Sequence, residues 1–346
     1  MSRMLDEIRQ QPETLERTLR TEWRRIEKFR EQVLRRKPRL IVLVARGTSD
    51  NAAQFGRYLI EITTGIPVSL AAPSIWTLYG AKLDYRETMV IAISQSGEST
   101  DTNLILEQAR KQNATTVGIT NEIRSTLAGI AEHVFFVRAG KERSVAATKT
   151  YTGQLLMMYL IAYALGAKLR LADLERIPEY VRLALGLEPE IAALAERYRF
   201  MDHAVVMGRG LNYSNAFEFA LKLMETCYVI AERFSSADFQ HGPIAMVEHG
   251  FPLFLFAPSG VTWPGLSEMM IQLRGLNAEI VTITDRKNPD ACALTTRLMC
   301  LPEKIPELFT PIPYIVPAQL FSAVLATQKG RDPDKPRTIQ KVTKTI

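Results

Sequence analysis

Two stretches of this chain carry one pattern at one spacing. Val44-Ala45-Arg46-Gly47 is matched by Met207-Gly208-Arg209-Gly210. Ile91-Ala92-Ile93-Ser94-Gln95-Ser96-Gly97 is matched by Phe254-Leu255-Phe256-Ala257-Pro258-Ser259-Gly260. Gly97 lies 50 residues after Gly47, and Gly260 lies 50 after Gly210. Val117-Gly118-Ile119-Thr120 then matches Val281-Thr282-Ile283-Thr284 with a one-residue slip. Three matches in order at near-constant offset imply two copies of one fold. Around them, short apolar runs (40–45, 89–93, 116–119 and 133–137; then 204–207, 253–256, 280–283 and 298–301) alternate with helical stretches. That alternation predicts an α/β protein with two doubly wound parallel sheets, helices on both faces of each.

The chain of 346 residues is long enough for two domains with real cores. Its net charge of +6 is not gathered into a block. The arginine-rich segment 17–39 is interleaved with Glu16, Glu22, Glu27 and Glu31, a solvated helix face rather than a nucleic-acid groove. A mildly positive field still favours an anionic substrate. Three cysteines, Cys227, Cys292 and Cys300, make no paired framework, which points to a reducing, cytoplasmic compartment. The N-terminus is charged from Arg3 onward, unlike a signal peptide. The longest apolar run, 155–165, is too short to span a bilayer and reads as a buried helix. The four histidines have no metal-ligand spacing, so no metal and no cofactor are expected.

The first copy carries Ser94-Gln95-Ser96-Gly97-Glu98-Ser99-Thr100 between an apolar strand and a helix. Unpaired N–H groups at a helix start, a permissive glycine and several hydroxyls form a phosphate cradle. The loop contains no lysine, so it is not a nucleotide P-loop. A Ser/Thr-rich cap that binds nothing fits the same residues equally well. In the second copy the position is Ala257-Pro258-Ser259-Gly260, with little to grip a phosphate. There Glu218, Lys222 and Glu225 fall on one helix stripe, which spacing alone favours as a solvent-facing salt-bridge row. Sixteen residues after Glu225 comes His241, just before Gly242-Pro243, where proline suits a helix start. A histidine there is either an acid–base group or a turn cap. The proline-punctuated tail 332–346 has the composition of a frayed terminus.

Gly47-Thr48-Ser49, Ser94 to Ser99, Val145-Ala146-Ala147-Thr148-Lys149, Lys222-x-x-Glu225, His241-Gly242-Pro243 and the Pro336-Arg337…Lys341 tail together resemble the tandem sugar-isomerase (SIS) domains of the glucosamine-6-phosphate synthase family. The likeness runs from about residue 40 to the end. It implies two SIS domains, each a flavodoxin-like doubly wound sheet. The expected divisions are a helical segment 1–38, a phosphate-binding domain 39–190, a catalytic domain 195–330 and a closing tail 331–346. It implies that Ser94, Gln95, Ser96, Gly97 and Ser99 hold a sugar phosphate. Gly47, Thr48, Ser49 and the backbone of Val145, Ala146 and Ala147 would contact the sugar. Glu225 would shuttle a proton between sugar carbons 1 and 2, with Lys222 as its electrostatic aid. His241 would open the ring, reaching across a homodimer interface. Lys341 would contact the open-chain sugar, and in the synthase it forms a Schiff base.

Two departures matter. Arg46 stands where the synthase has a cysteine, and Ala147 where it has a serine. The synthase also carries a glutaminase domain with an N-terminal cysteine, whereas the first cysteine here is Cys227. The expectation is therefore a cytoplasmic homodimeric deaminase of glucosamine 6-phosphate, with no nucleic-acid or membrane partner. Another phosphosugar isomerase or a fructosamine-type deglycase is the alternative, and a sugar-phosphate sensor a more distant one.

Overall fold

The strands in the middle of each sheet are apolar on both faces. Leu40–Val44 is Leu-Ile-Val-Leu-Val, and every residue of Thr88–Ser94 is buried. Such runs belong in parallel sheets covered on both sides. The computed structural model, which describes residues 2–286 and 288–341, contains two of them. Residues 342–346 of the expected tail lie outside the described residues.

The described chain forms two compact units. One comprises Glu13–Glu142, Lys149–Glu175 and described residues 339–341. Its strands are β1 (Leu40–Val44), β2 (Val68–Leu70), β3 (Thr88–Ser94), β4 (Thr115–Thr120) and β5 (His133–Phe136), in the order β2-β1-β3-β4-β5. All pairings are parallel. The predicted buried helix is Lys149–Ala164, buried along nearly its whole length. It lies so close to the Thr48–Thr64 helix that a side chain at Gly56 would run into Met158. The basic helix Gln11–Arg35 is mostly solvated on its charged side, but Glu22 is buried and pairs with Arg138 at 2.7 Å. Its Phe29 stacks edge-on against Phe135 at 5.3 Å.

The other unit comprises residues 2–12, Arg143–Thr148 and Arg176–Thr338. Its strands β6 (His203–Gly208), β7 (Ile230–Ser235), β8 (Pro252–Phe256), β9 (Glu279–Asp285) and β10 (Arg297–Leu301) run in the order β10-β9-β8-β6-β7. Read from β7, this is the topology of the first sheet, again all parallel. The helix Pro311–Gln328 is apolar all round and buried, and Phe321 joins Phe219 and Phe254 in a cluster of edge-on rings. The tail is not frayed here. The Asp334 carboxylate accepts the Ser2 hydroxyl and the Arg3 and Met4 N–H groups, satisfying the start of the helix Arg3–Arg9.

Among the described residues, no helix is long and apolar enough to cross a membrane.

Candidate functional site

In the β1–β5 unit the strand order reverses between β1 and β3, and ligands of open α/β sheets bind beyond the strand ends at such a point. Two helices start there. Thr48–Thr64 follows Gly47, whose φ is 56° and whose carbonyl accepts the Asp50 and Asn51 N–H groups. Thr100–Lys111 follows the serine loop, with Ser99 at its cap position. Gly97 has φ 68°, and a side chain there would strike Ser125. Ser94 Oγ accepts the Gly97 N–H at 3.0 Å, and Ser96 Oγ accepts the Glu98 N–H at 3.3 Å. Both hydroxyls act as acceptors in these bonds, so their protons remain to be donated. Ser99 differs. Its hydroxyl donates to Asp101 Oδ1 at 2.9 Å and lies 2.9 Å from Thr102 Oγ1, so it must turn to serve a ligand. The Gln95 carbonyl is tied to the Asn121 N–H and the Thr120 hydroxyl, which fixes the loop from behind. Ser49 is buried and accepts Gln154 Nε2 at 2.9 Å.

Asp101 was not foreseen. It is buried and meets Arg46, whose Nε and Nη2 each lie 2.6 Å from Oδ2. Burial pushes its carboxyl up, but the Ser99 hydroxyl and the Arg46 guanidinium outweigh that and hold it below the ordinary aspartate value.

Lys341 belongs to this unit and is docked. Its Nζ lies 2.9 Å from Glu142 Oε2. Glu142, absent from the sequence reading, has a fully buried side chain and also accepts the Thr150 N–H at 3.1 Å and the Thr150 hydroxyl at 2.6 Å.

In the β6–β10 unit, the helix Tyr213–Lys222 does not stop at Lys222. It widens into a π-helical turn, Leu223–Cys227, ended by Tyr228 in the left-handed region. Such turns cluster at functional sites. The turn places Glu225 Oε2 2.5 Å from Lys222 Nζ, while Glu218 Oε1 lies 3.3 Å away on the other side. This corrects the solvent-facing reading of the stripe. The side chains of Lys222 and Glu218 are wholly buried, and that of Glu225 is 23% exposed. Burial works against the Lys222 ammonium, but the Glu218 and Glu225 carboxylates prevail and hold its pKa above the ordinary lysine value. Next to this turn, the Arg337 guanidinium stacks on the Tyr228 ring at 4.3 Å, and the Arg337 backbone N–H donates to the Tyr228 hydroxyl at 2.9 Å. Cys227, on the same turn, is buried, which pushes its thiol up to about 11.

His241 ends the short helix Ser236–Gln240, and Pro243 opens a single 3₁₀ turn, Pro243–Met246, rather than an α-helix. Gly242, at φ 139°, makes the bend between them. The His241 ring is exposed and has no hydrogen-bond partner among the described residues. The segment carrying Val145 and Ala147 is held by Glu7, which accepts the Arg143 and Ser144 N–H groups. The Val145 N–H is bonded to the Asp334 carbonyl at 3.4 Å.

The second copy of the cradle is occupied from within. Glu307 accepts the Thr262 N–H at 3.3 Å and the Thr262 hydroxyl at 2.6 Å, beside the start of the helix Trp263–Gly275. A side chain at Gly260 would strike that carboxylate.

The SIS domain sequence profile matches residues 34–164 and 199–329. The glutamine–fructose-6-phosphate aminotransferase (isomerizing) of Methanothermobacter thermautotrophicus is 34% identical over 338 residues, covering 98% of this chain and 56% of that protein. The chain thus spans little more than half the length of this curated relative. The C-terminal domain of glucosamine-fructose-6-phosphate aminotransferase from Francisella tularensis aligns with TM-score 0.87 at 28% identity, over 97% of this chain and 98% of that one. A protein named as a candidate phosphosugar isomerase, from Silicibacter pomeroyi DSS-3, aligns with TM-score 0.85 at 32% identity, over 96% of this chain and 100% of that one. Matched twice by the profile and folded twice into one sheet topology, the chain belongs to the SIS-domain family, with two tandem SIS domains homologous to the isomerase half of glutamine–fructose-6-phosphate aminotransferase.

Proposed function

We propose that this chain is an amino-sugar-phosphate isomerase working in the deaminating direction, converting glucosamine 6-phosphate and water into fructose 6-phosphate and ammonia. One observation carries the reading: a partly exposed carboxylate, Glu225, held 2.5 Å from a buried, charged lysine. Aldose–ketose interconversion needs one base moving one proton over a short path, beside a fixed positive charge. The substrate class follows from the names of the aligned relatives, which speak of fructose 6-phosphate and of phosphosugar isomerisation.

In this reading Ser94, Gln95, Ser96 and the Gly97 backbone hold the phosphate, with Ser99 joining after its hydroxyl turns. Thr48, Ser49 and the backbone of Val145 and Ala147 face the sugar. His241 opens the ring. Glu225 takes the C2 proton and returns it to C1, leaving an imine at C2. Water adds to that imine and ammonia departs. Lys222 stabilises charge on the enediol-like intermediate, and Lys341 meets the open chain. The Val145-Ala146-Ala147-Thr148-Lys149 segment, with alanine where the synthase has serine, resembles stand-alone relatives that run the reaction as deaminases, which is the reason for choosing that direction. The exposed His241 suits a homodimer in which it serves the partner's sugar.

The test is ammonia and fructose 6-phosphate release from glucosamine 6-phosphate by the purified protein. Equal release of both supports the deaminase. Isomerised sugar without ammonia makes it an isomerase on the same machinery. No turnover and no stabilisation by fructose 6-phosphate removes the phosphosugar reading.

A further inference from the structure

The proton shuttle makes no use of Arg46. It directly precedes Gly47 after β1, and both its Nε and Nη2 lie 2.6 Å from one oxygen of the buried Asp101. The other Asp101 oxygen accepts the Ser99 hydroxyl and the Thr102 N–H, so the carboxylate belongs to the serine loop. The Arg46 side chain is half exposed, and its Nη1 has no hydrogen-bond partner among the described residues. A guanidinium is a rigid fork. Here one edge is anchored by a buried anion while other donors stay available.

The duplication supplies an internal comparison. The second copy has Arg209 at the Arg46 position but Pro264 at the Asp101 position. Among the described residues, Arg209 reaches only the Ser235 hydroxyl, at 3.5 Å. That copy needs no cation for a ligand, because Glu307 already fills its cradle. The copy whose cradle is left open is the one whose arginine is oriented. The serine loop from Ser94 to Thr102 has no lysine or arginine of its own, so a phosphate dianion bound by hydroxyls and N–H groups lacks a charged partner there.

We propose that Arg46 is the cationic ligand of the substrate's phosphate, oriented by Asp101, and that it makes this site select phosphorylated over neutral sugars. The proposal rests on the phosphosugar reading above. A bidentate-capable cation on a phosphate forms the stronger kind of hydrogen bond, and its loss is expected to weaken binding about tenfold or more.

The experiment is thermal stabilisation of the wild type, Arg46→Gln, Arg46→Lys and Asp101→Asn by inorganic phosphate, fructose 6-phosphate and fructose. Arg46→Gln raises the half-saturating concentration of both phosphates about tenfold or more, and Arg46→Lys recovers part of the loss. Asp101→Asn weakens phosphate binding by a smaller factor than Arg46→Gln, because one amide oxygen cannot accept both Arg46 and the Thr102 N–H and so holds the guanidinium less firmly. A mere structural strut predicts that Arg46→Gln lowers the melting temperature without ligand and leaves the half-saturating phosphate concentration unchanged, an outcome that overturns the proposal. Unchanged phosphate binding without that loss of stability overturns it too. The half-exposed Arg46 variants carry the test even if Asp101→Asn fails to fold. A wild type that phosphate and fructose 6-phosphate leave unstabilised removes the phosphosugar reading, and this assignment with it.

Discussion

Lys341 Nζ lies 2.9 Å from a carboxylate oxygen of Glu142, a residue with no exposed side-chain surface. A terminal lysine in a polar tail is ordinarily free in solution. Here it is held by a buried anion that also accepts both the N–H and the hydroxyl of Thr150. Glu142→Gln keeps the Thr150 bonds in part but removes the charge that draws the tail in. Loss of one charge-assisted hydrogen bond, about 1.5–3 kcal/mol, is expected to loosen the tail. Trypsin should cut at Arg337 and Lys341 faster, and kcat/KM should fall about tenfold or more. Equal cleavage rates in variant and wild type would show that Glu142 does not hold the tail.

Glu225→Gln keeps the shape of the proposed shuttle and removes its basicity. Turnover of glucosamine 6-phosphate is expected to fall by about 10² to 10⁴, the usual worth of a positioned acid–base group. Stabilisation by fructose 6-phosphate should persist, because the phosphate site proposed above is the serine loop and does not include Glu225. Full activity in Glu225→Gln would exclude the role.

Lys222→Met leaves Glu218 and Glu225 facing an apolar side chain. Removing one partner of a buried ionic cluster costs about 3–5 kcal/mol, and urea denaturation at neutral pH should read a loss of that order. The sign with pH follows from the raised Lys222 pKa. A group titrating higher in the folded chain than in the unfolded one contributes its full stability below the unfolded value, 10.5 for lysine. That contribution is lost only as pH climbs from there through the folded pKa. The gap between wild type and Lys222→Met should therefore stay constant from pH 7 to about pH 10 and narrow above it. A gap already closing near neutrality would contradict the cluster.

Gly97→Ala introduces a Cβ at φ 68°, facing Ser125. Strain of this kind costs about 1–3 kcal/mol. Melting should occur several degrees lower, and fructose 6-phosphate should recover less stability than in the wild type. A variant with wild-type melting and wild-type ligand response would mean the loop relaxes freely.

The duplicated sheet was legible because parallel strands buried on both faces must be apolar along most of their length, as at 89–93 and 253–256. One edge strand of each sheet was not. Val68–Leu70 is three residues long, and Ile230–Ser235 carries exposed Glu232 and Arg233 among its apolar positions. The serine loop showed itself through its residue types, but Ser99's commitment to Asp101 did not, since nothing in one sequence tells which carboxylate lies near. The Lys222 stripe was visible at helical spacing and misread as solvated. The stripe meets at Lys222 across a π-helical turn, Leu223–Cys227, which has no residue signature. Glu142 and Asp334 escaped notice because each acts on a segment far away in the chain, Lys341 in one case and Ser2 to Met4 in the other.

Glu307 bears on a problem that any duplicated binding fold faces. Two equivalent cradles in one chain would compete for the same metabolite, and molecules parked at the copy without the serine loop would be bound to no purpose. A carboxylate carried on the chain itself, always present at high effective concentration, takes the vacant berth beside Thr262. One acidic side chain is thereby enough to make the second cradle scaffold, and the room it needs is left by the missing side chain of Gly260.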